Sequence, residues 1–194
     1  MTPICASAVW SVAHAGNVPA ENDAVRLIAA AERQIGVTVR YDPAYQSIGF
    51  PGGDVAEDRG VCTDVIIRAY RSAFGFDLQR EVNADMAANF SAYPKTWGLA
   101  RPDPSIDHRR VPNLQVFFAR RGAELARPAT PGAWLPGDLV TQTVAKGLPH
   151  IAIVSATLNP AGQHPMVIHN IGRGTVLEDT LGAFPVTGRY RFLA

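Results

Sequence analysis

A chain of 194 residues matches one domain of ordinary size, long enough to bury a core without disulfides or a structural metal. Its 47% apolar and 18% charged residues, with a formal net charge of +1, describe a soluble globular protein and leave no electrostatic footprint for nucleic acid. No run of about eighteen apolar residues occurs, so no integral membrane segment is expected, and 17 Gly with 15 Pro announce many turns and irregular loops.

The first fifteen residues, MTPICASAVWSVAHA, are apolar and end in Ala13-His14-Ala15, the small-x-small form of a signal-peptidase site, but they lack a basic start. Residues 1–20 therefore read as the remnant of a signal peptide or a flexible N-terminus, and residues 21–194 as a single domain. Export would place the protein in the periplasm or outside the cell. It would also remove Cys5 and leave Cys62 as the sole thiol.

Over residues 23–35, Ala24, Leu27, Ile28, Ala31 and Ile35 recur at helical spacing, with Asn22 or Asp23 as cap and Gly36 as stop. Residues 37–41 read as a short extended piece and 42–54 as turn chemistry. The segment GVCTDVIIRAYRSAFG then places Cys62, Ile66, Ala69 and Ala73 on one helical face, closed by Gly75. Cys62 thus sits at a helix N-terminus. Residues 76–111 are polar, aromatic and proline-punctuated, an ordered insertion or binding loop with at most a short helix near 82–90. Leu114, Phe117, Phe118 and Arg121 mark another helix between 113 and 122. Beyond a Pro/Gly-rich turn at 128–137, short β-rich runs at 138–144, 150–156, 166–171 and 188–193 predict an antiparallel meander. Helices first and sheet second give an α+β fold with N-terminal helices packed on a C-terminal antiparallel sheet.

A cysteine at a helix N-terminus feels the positive end of the peptide dipoles, which favours thiolate, the nucleophilic form. An isolated cysteine on such a helix is more often a small core hydrophobe. Two histidines change the weighing. His150 opens the strand LPHIAIVS and His169 lies near the end of VIHNIG; a turn within 159–165 sets position 150 opposite 169–171. One cysteine and two histidines can then supply a nucleophile, a base and a base-orienting group. No His/Cys/Asp/Glu spacing matches a zinc site and no glycine pair opens a phosphate loop, so neither metal nor cofactor is expected.

The motifs GVCTDVIIRAYR, PGDLVTQ, LPHIAIVS and MVIHNIG, in that order, resemble the NlpC-type papain-like cysteine peptidases of bacterial cell walls. In that family a helix-start cysteine is followed by a Pro-Gly-Asp strand, a histidine-led strand and a third polar residue on the next strand. YDPAY, GVCTDVIIRAYR, IDHRRVPNL and GRYRF look like a domain-of-unknown-function branch of the same superfamily. The resemblance implies a papain-like fold, Cys62 as nucleophile, His150 as base and His169, in preference to its neighbour Asn170, as the orienting group. It implies Tyr41 as an oxyanion donor beside the Cys62 backbone N–H. The implied substrate is a peptide amide of peptidoglycan, cut as an endopeptidase or an amidase by a monomer. On this reading Cys62 should titrate below about 8.5 against a protonated His150, with the sulfur near a His150 ring nitrogen.

The peptidoglycan-cleaving members usually carry Asp before the cysteine and Ser-Gly after it; here Val61 precedes and Thr63-Asp64 follow. Asp64 either holds a substrate amine from another direction or stabilises the first helical turn. In Asp107-His108-Arg109-Arg110 the arginines either grip a carboxylate of a peptide stem or a lipid phosphate, or pin the loop through Asp–Arg pairs. His108 competes with His150 for the role of base. Two other functions fit the sequence: a papain-like acyltransferase or lipid-directed thiol hydrolase, and a catalytically inactive wall-binding domain whose thiol is core.

Overall fold

A computed structural model describes residues 21–193. The proposed signal-peptide remnant and Cys5 lie outside them. Four helices, α1 (Glu21–Glu32), α2 (Cys62–Phe74), α3 (Leu78–Ala88) and α4 (Val111–Arg120), precede the main sheet. A two-residue parallel pair, β1 (Arg40–Tyr41) with β2 (Arg59–Gly60), leads into α2. Strands β3 (Leu139–Val144), β4 (Leu148–Leu158), β5 (Pro165–Asn170), β6 (Thr175–Glu178) and β7 (Val186–Tyr190) form an antiparallel sheet of order β6-β5-β4-β3-β7. The fold is α+β. Among the described residues no helix is long and apolar enough to cross a membrane.

The centre of the sheet is covered on both faces, which explains why β4 reads as an unbroken apolar run. Ile151 and Ile153 turn one way, with Ile168, into the helical core built from Leu27, Ile66, Tyr70, Leu114, Phe117 and Phe118. Ala152 and Val154 turn the other way, against Val140, Val167, Trp134 and Leu181. Each of these valine, leucine and isoleucine side chains, removed from water, stabilises the fold by roughly 1.5–3 kcal/mol before chain entropy is set against it.

Helix α2 spans the core under the sheet. Its N-terminus is capped from within, because the Asp64 carboxylate accepts the Val61 N–H at 2.6 Å. Its C-terminus is closed by Gly75 in the left-handed conformation, φ 65°, where a side chain would be strained. The expected helices are present with shifted ends: α1 stops at Glu32, before the Ile35 foreseen, and α3 begins at Leu78 because Asp77 caps it through the Gln79 N–H. Strands β2 and β6 were not expected. Both are short, and β6 is only partly buried.

Candidate active site

Cys62 is the first residue of α2 and 5% exposed, with a free thiol. Three backbone N–H groups face its sulfur: that of Ile151, the residue after His150 on β4, and those of Thr63 and Cys62 itself. The paired register of β5 with β4 runs only as far as Ile153–Ile168, so the sulfur lies where the two strands part. Burial pushes the thiol up to about 11, with the Asp64 charge adding to the rise and the three N–H groups opposing it. The expected low-pKa thiolate is therefore corrected. The helix terminus does favour the anion, but the desolvation of a buried sulfur outweighs it.

His150 is buried on β4, and its Nε2 lies 2.8 Å from Nδ1 of His169 on β5, the rings meeting edge to face at 4.9 Å between centroids. His169 Nε2 lies 2.9 Å from Glu178 Oε2 on β6, and Arg173 pairs with the other carboxylate oxygen. Burial lowers His150 to about 3, helped by His169, and lowers His169 to about 4, helped by the Arg173 charge. At neutral pH the resting pair is thus a neutral thiol and a neutral imidazole, not the ion pair first expected. Among the described residues no hydrogen bond joins Cys62 to His150. The sulfur meets the Ile151 backbone and the His150 ring meets His169. Asn170 points elsewhere: its Nδ2 donates to the Gly60 carbonyl at 3.0 Å and the Arg40 carbonyl at 3.3 Å, while its Oδ1 accepts from Gly172 and Gly174.

A cleft of about 180 Å³ opens over Cys62, lined also by Tyr41, Val61, Trp97, Arg109 and Pro149. Tyr41 closes β1 and is 39% exposed; desolvation raises its pKa, and the charges of Cys62 and Asp64 raise it further, so its hydroxyl stays protonated in the cleft it shares with Cys62. Arg110 stacks over Trp97 at 4.0 Å and pairs with Asp107 at 2.9 Å, fixing that aromatic wall. A larger hollow of about 500 Å³ lies between α1, α2 and residues 54–57. It holds neither Cys62 nor a histidine, and its Arg68 is committed to Asp54 and to the carbonyls of Val55, Ala56 and Arg59.

Asp64 does not reach into the cleft as a free carboxylate. Arg109 grips both its oxygens, at 2.8 and 2.9 Å, and one of them also takes the Val61 N–H. Of the two roles open to Asp64, these three bonds serve the structural one, since they tie the first turn of α2 to the Arg109 turn. Arg109 keeps Nη1 without a hydrogen-bond partner at the cleft wall. His108, its neighbour in the turn Asp107–Arg109, is buried, and desolvation lowers it to about 4, with the Arg109 charge adding to the fall and Asp77, Arg71 and Asp54 acting more weakly. It is not among the residues that line the Cys62 cleft, whereas Arg109 is. Adjacent residues of a tight turn diverge, and sequence adjacency had placed both histidine and arginine at one site.

A family model described as "Domain of unknown function (DUF1287)" matches residues 28–192. The chain belongs to the DUF1287 family. The matched span takes in Tyr41, Cys62, Asp64, Arg109, His150, His169 and Glu178. The chain is also similar to "Uncharacterized protein YijF" of Escherichia coli (strain K12), 48% identical over 162 residues, which cover 84% of this chain and 78% of the relative.

Proposed function

We propose that this DUF1287 chain is a papain-like cysteine hydrolase of the NlpC type, cleaving amide bonds of peptidoglycan stem peptides in the periplasm or outside the cell. The observation that carries the reading is the His150–His169 pair, 2.8 Å apart on β4 and β5, beside the strand N–H that faces the Cys62 sulfur. A nucleophile at a helix start, a base on the adjoining strand and an orienting group on the next are the parts that acyl transfer through a thioester requires.

The neutral resting pair sets the order of events. With a substrate carbonyl in the cleft, the sulfur attacks as its proton passes to His150, so charge separates only along the reaction coordinate. The tetrahedral oxyanion accepts hydrogen bonds from the Cys62 backbone N–H and the Tyr41 hydroxyl. Collapse expels the amine, which takes the proton from His150. Water, deprotonated by the same imidazole, then cleaves the thioester and returns the thiol.

The burial of Cys62, 5% exposed with a thiol pushed up to about 11, favours a second reading, an inactive wall-binding domain in which the sulfur is core. Incubating purified peptidoglycan with wild-type protein and with Cys62→Ala, and resolving the muropeptides by mass spectrometry, separates the two. The hydrolase releases cleaved stem peptides only as wild type. An inactive domain sediments with the wall in both forms and releases nothing.

A further inference from the structure

We propose that Glu178 is a fourth member of the site, a positioning residue that, held by Arg173, fixes the tautomers of both histidines and so leaves His150 Nδ1 as the basic nitrogen. The inference deepens the hydrolase reading, since it rests on His150 serving as the base. It also has a readout that does not depend on turnover.

Strand register puts Glu178 opposite Val167 and Val176 opposite His169. Residues 176 and 178 therefore share a face with 167 and 169, and the carboxylate stands over the His169 ring. A carboxylate only accepts hydrogen bonds. At 2.9 Å from Glu178 Oε2, His169 Nε2 must therefore carry the hydrogen. A neutral imidazole has one N–H, so His169 Nδ1 is an acceptor, and at 2.8 Å it takes the hydrogen of His150 Nε2. His150 then holds its lone pair on Nδ1. The reversed chain would set the Nε2 lone pair of His169 against the carboxylate and would put a hydrogen on the nitrogen that has to accept the thiol proton. Burial keeps both rings neutral at pH 7, so the tautomer, not the charge, is what Glu178 controls.

Arg173 makes the control testable. Its guanidinium donates to Glu178 Oε1. In Glu178→Gln, of nearly the same shape, the amide oxygen turns to Arg173 and the amide NH₂ faces His169 Nε2, which must then accept. The whole chain inverts.

The experiment is ring-nitrogen NMR of the full chain with ¹⁵N-labelled histidine at neutral pH, paired with muropeptide release. In wild type, Nε2 of both His150 and His169 should be protonated and both Nδ1 bare. Glu178→Gln should move the hydrogens to Nδ1 on both rings and lower release at least about 100-fold, as a wrong tautomer does in other triads. Adding Arg173→Leu frees the amide to rotate and should restore the wild-type tautomers and about tenfold of the lost rate, on the order of 1.4 kcal/mol. Bare Nδ1 atoms in Glu178→Gln overturn the proposal. If that variant does not fold, Glu178→Asp keeps the acceptor-only group and should keep the wild-type tautomers; a reversed pair there overturns it equally. Correct tautomers in a wild-type protein that releases nothing would count against the hydrolase reading and leave the role of Glu178 standing.

Discussion

Arg109 and Asp64 form a two-point ion pair, Nε to Oδ1 at 2.8 Å and Nη2 to Oδ2 at 2.9 Å, with side chains only 2% and 3% exposed. It fastens the turn Asp107–Arg109 to the first turn of the helix that carries Cys62, and the Thr63 hydroxyl adds a bond to the Arg109 carbonyl at 3.0 Å. Removing one partner strands a buried charge, which typically costs about 3–5 kcal/mol. Asp64→Ala and Arg109→Ala should each lower the unfolding free energy, read from urea titration, by that order. Arg109→Lys should recover little, since an ammonium cannot make both bonds. Losses under about 1 kcal/mol would show that the pair does not hold the turn.

The thiol should be sluggish in the resting protein. Because burial raises Cys62 to about 11, its alkylation by iodoacetamide at pH 7 should be slower than that of free cysteine. The rate should climb with pH without levelling off before about pH 10. Urea-unfolded protein should react at the ordinary rate. A plateau below pH 8 in the folded protein would mean that a thiolate–imidazolium pair exists at rest.

Acid should destabilise the fold through its buried histidines. His108 and His169 are lowered to about 4 and His150 to about 3, against about 6.5 in the unfolded chain. Below that value the unfolded state binds more protons, so stability rises with pH over this range. It is fully present above about 6.5 and is lost as pH falls toward the folded values. Between pH 7 and pH 5 the loss is on the order of 2 kcal/mol per histidine. Denaturant titrations at the two pH values check this, and His108→Gln should flatten the slope by about a third. An unchanged midpoint would mean that these rings titrate normally in the fold.

Tyr41 is assigned a donor's task, not a packing one. Tyr41→Phe keeps the ring at the cleft mouth and removes the hydroxyl, so it should lower kcat by about 10²-fold while KM changes little. A change in KM alone would make Tyr41 a substrate contact instead.

Much of the fold was readable because its signals are periodic. Helix α2 shows its apolar face at Cys62, Ile66, Ala69 and Ala73, with a stop at Gly75, and the structure ends it there. The antiparallel sheet was legible from turn residues between β-rich runs, and the closeness of positions 150 and 169 from hairpin length, but the last strand does not continue a meander: β7 returns to pair with β3 at the other edge. The missing parts have physical reasons. Strand β6 is four residues long and half-buried between a Gly-rich turn and Leu181, too short for period-two alternation to stand out, so Glu178 had no element to belong to. Asp64 follows a helix start in sequence, but the arginine that occupies it comes from a turn 45 positions later. The thiol's ionisation depends on how deeply the sulfur is buried under β4, which no local pattern states.

In the proposed hydrolase Cys62 carries the acyl group. Wild-type protein mixed with soluble peptidoglycan fragments, quenched in acid within one turnover and examined by intact-protein and peptide mass spectrometry, tests it directly. Wild type should show a mass increase equal to a stem-peptide acyl group, confined to the peptide containing Cys62 and lost on treatment with hydroxylamine. Stem peptides released by Cys62→Ala as fast as by wild type, with no adduct on Cys62, would contradict it.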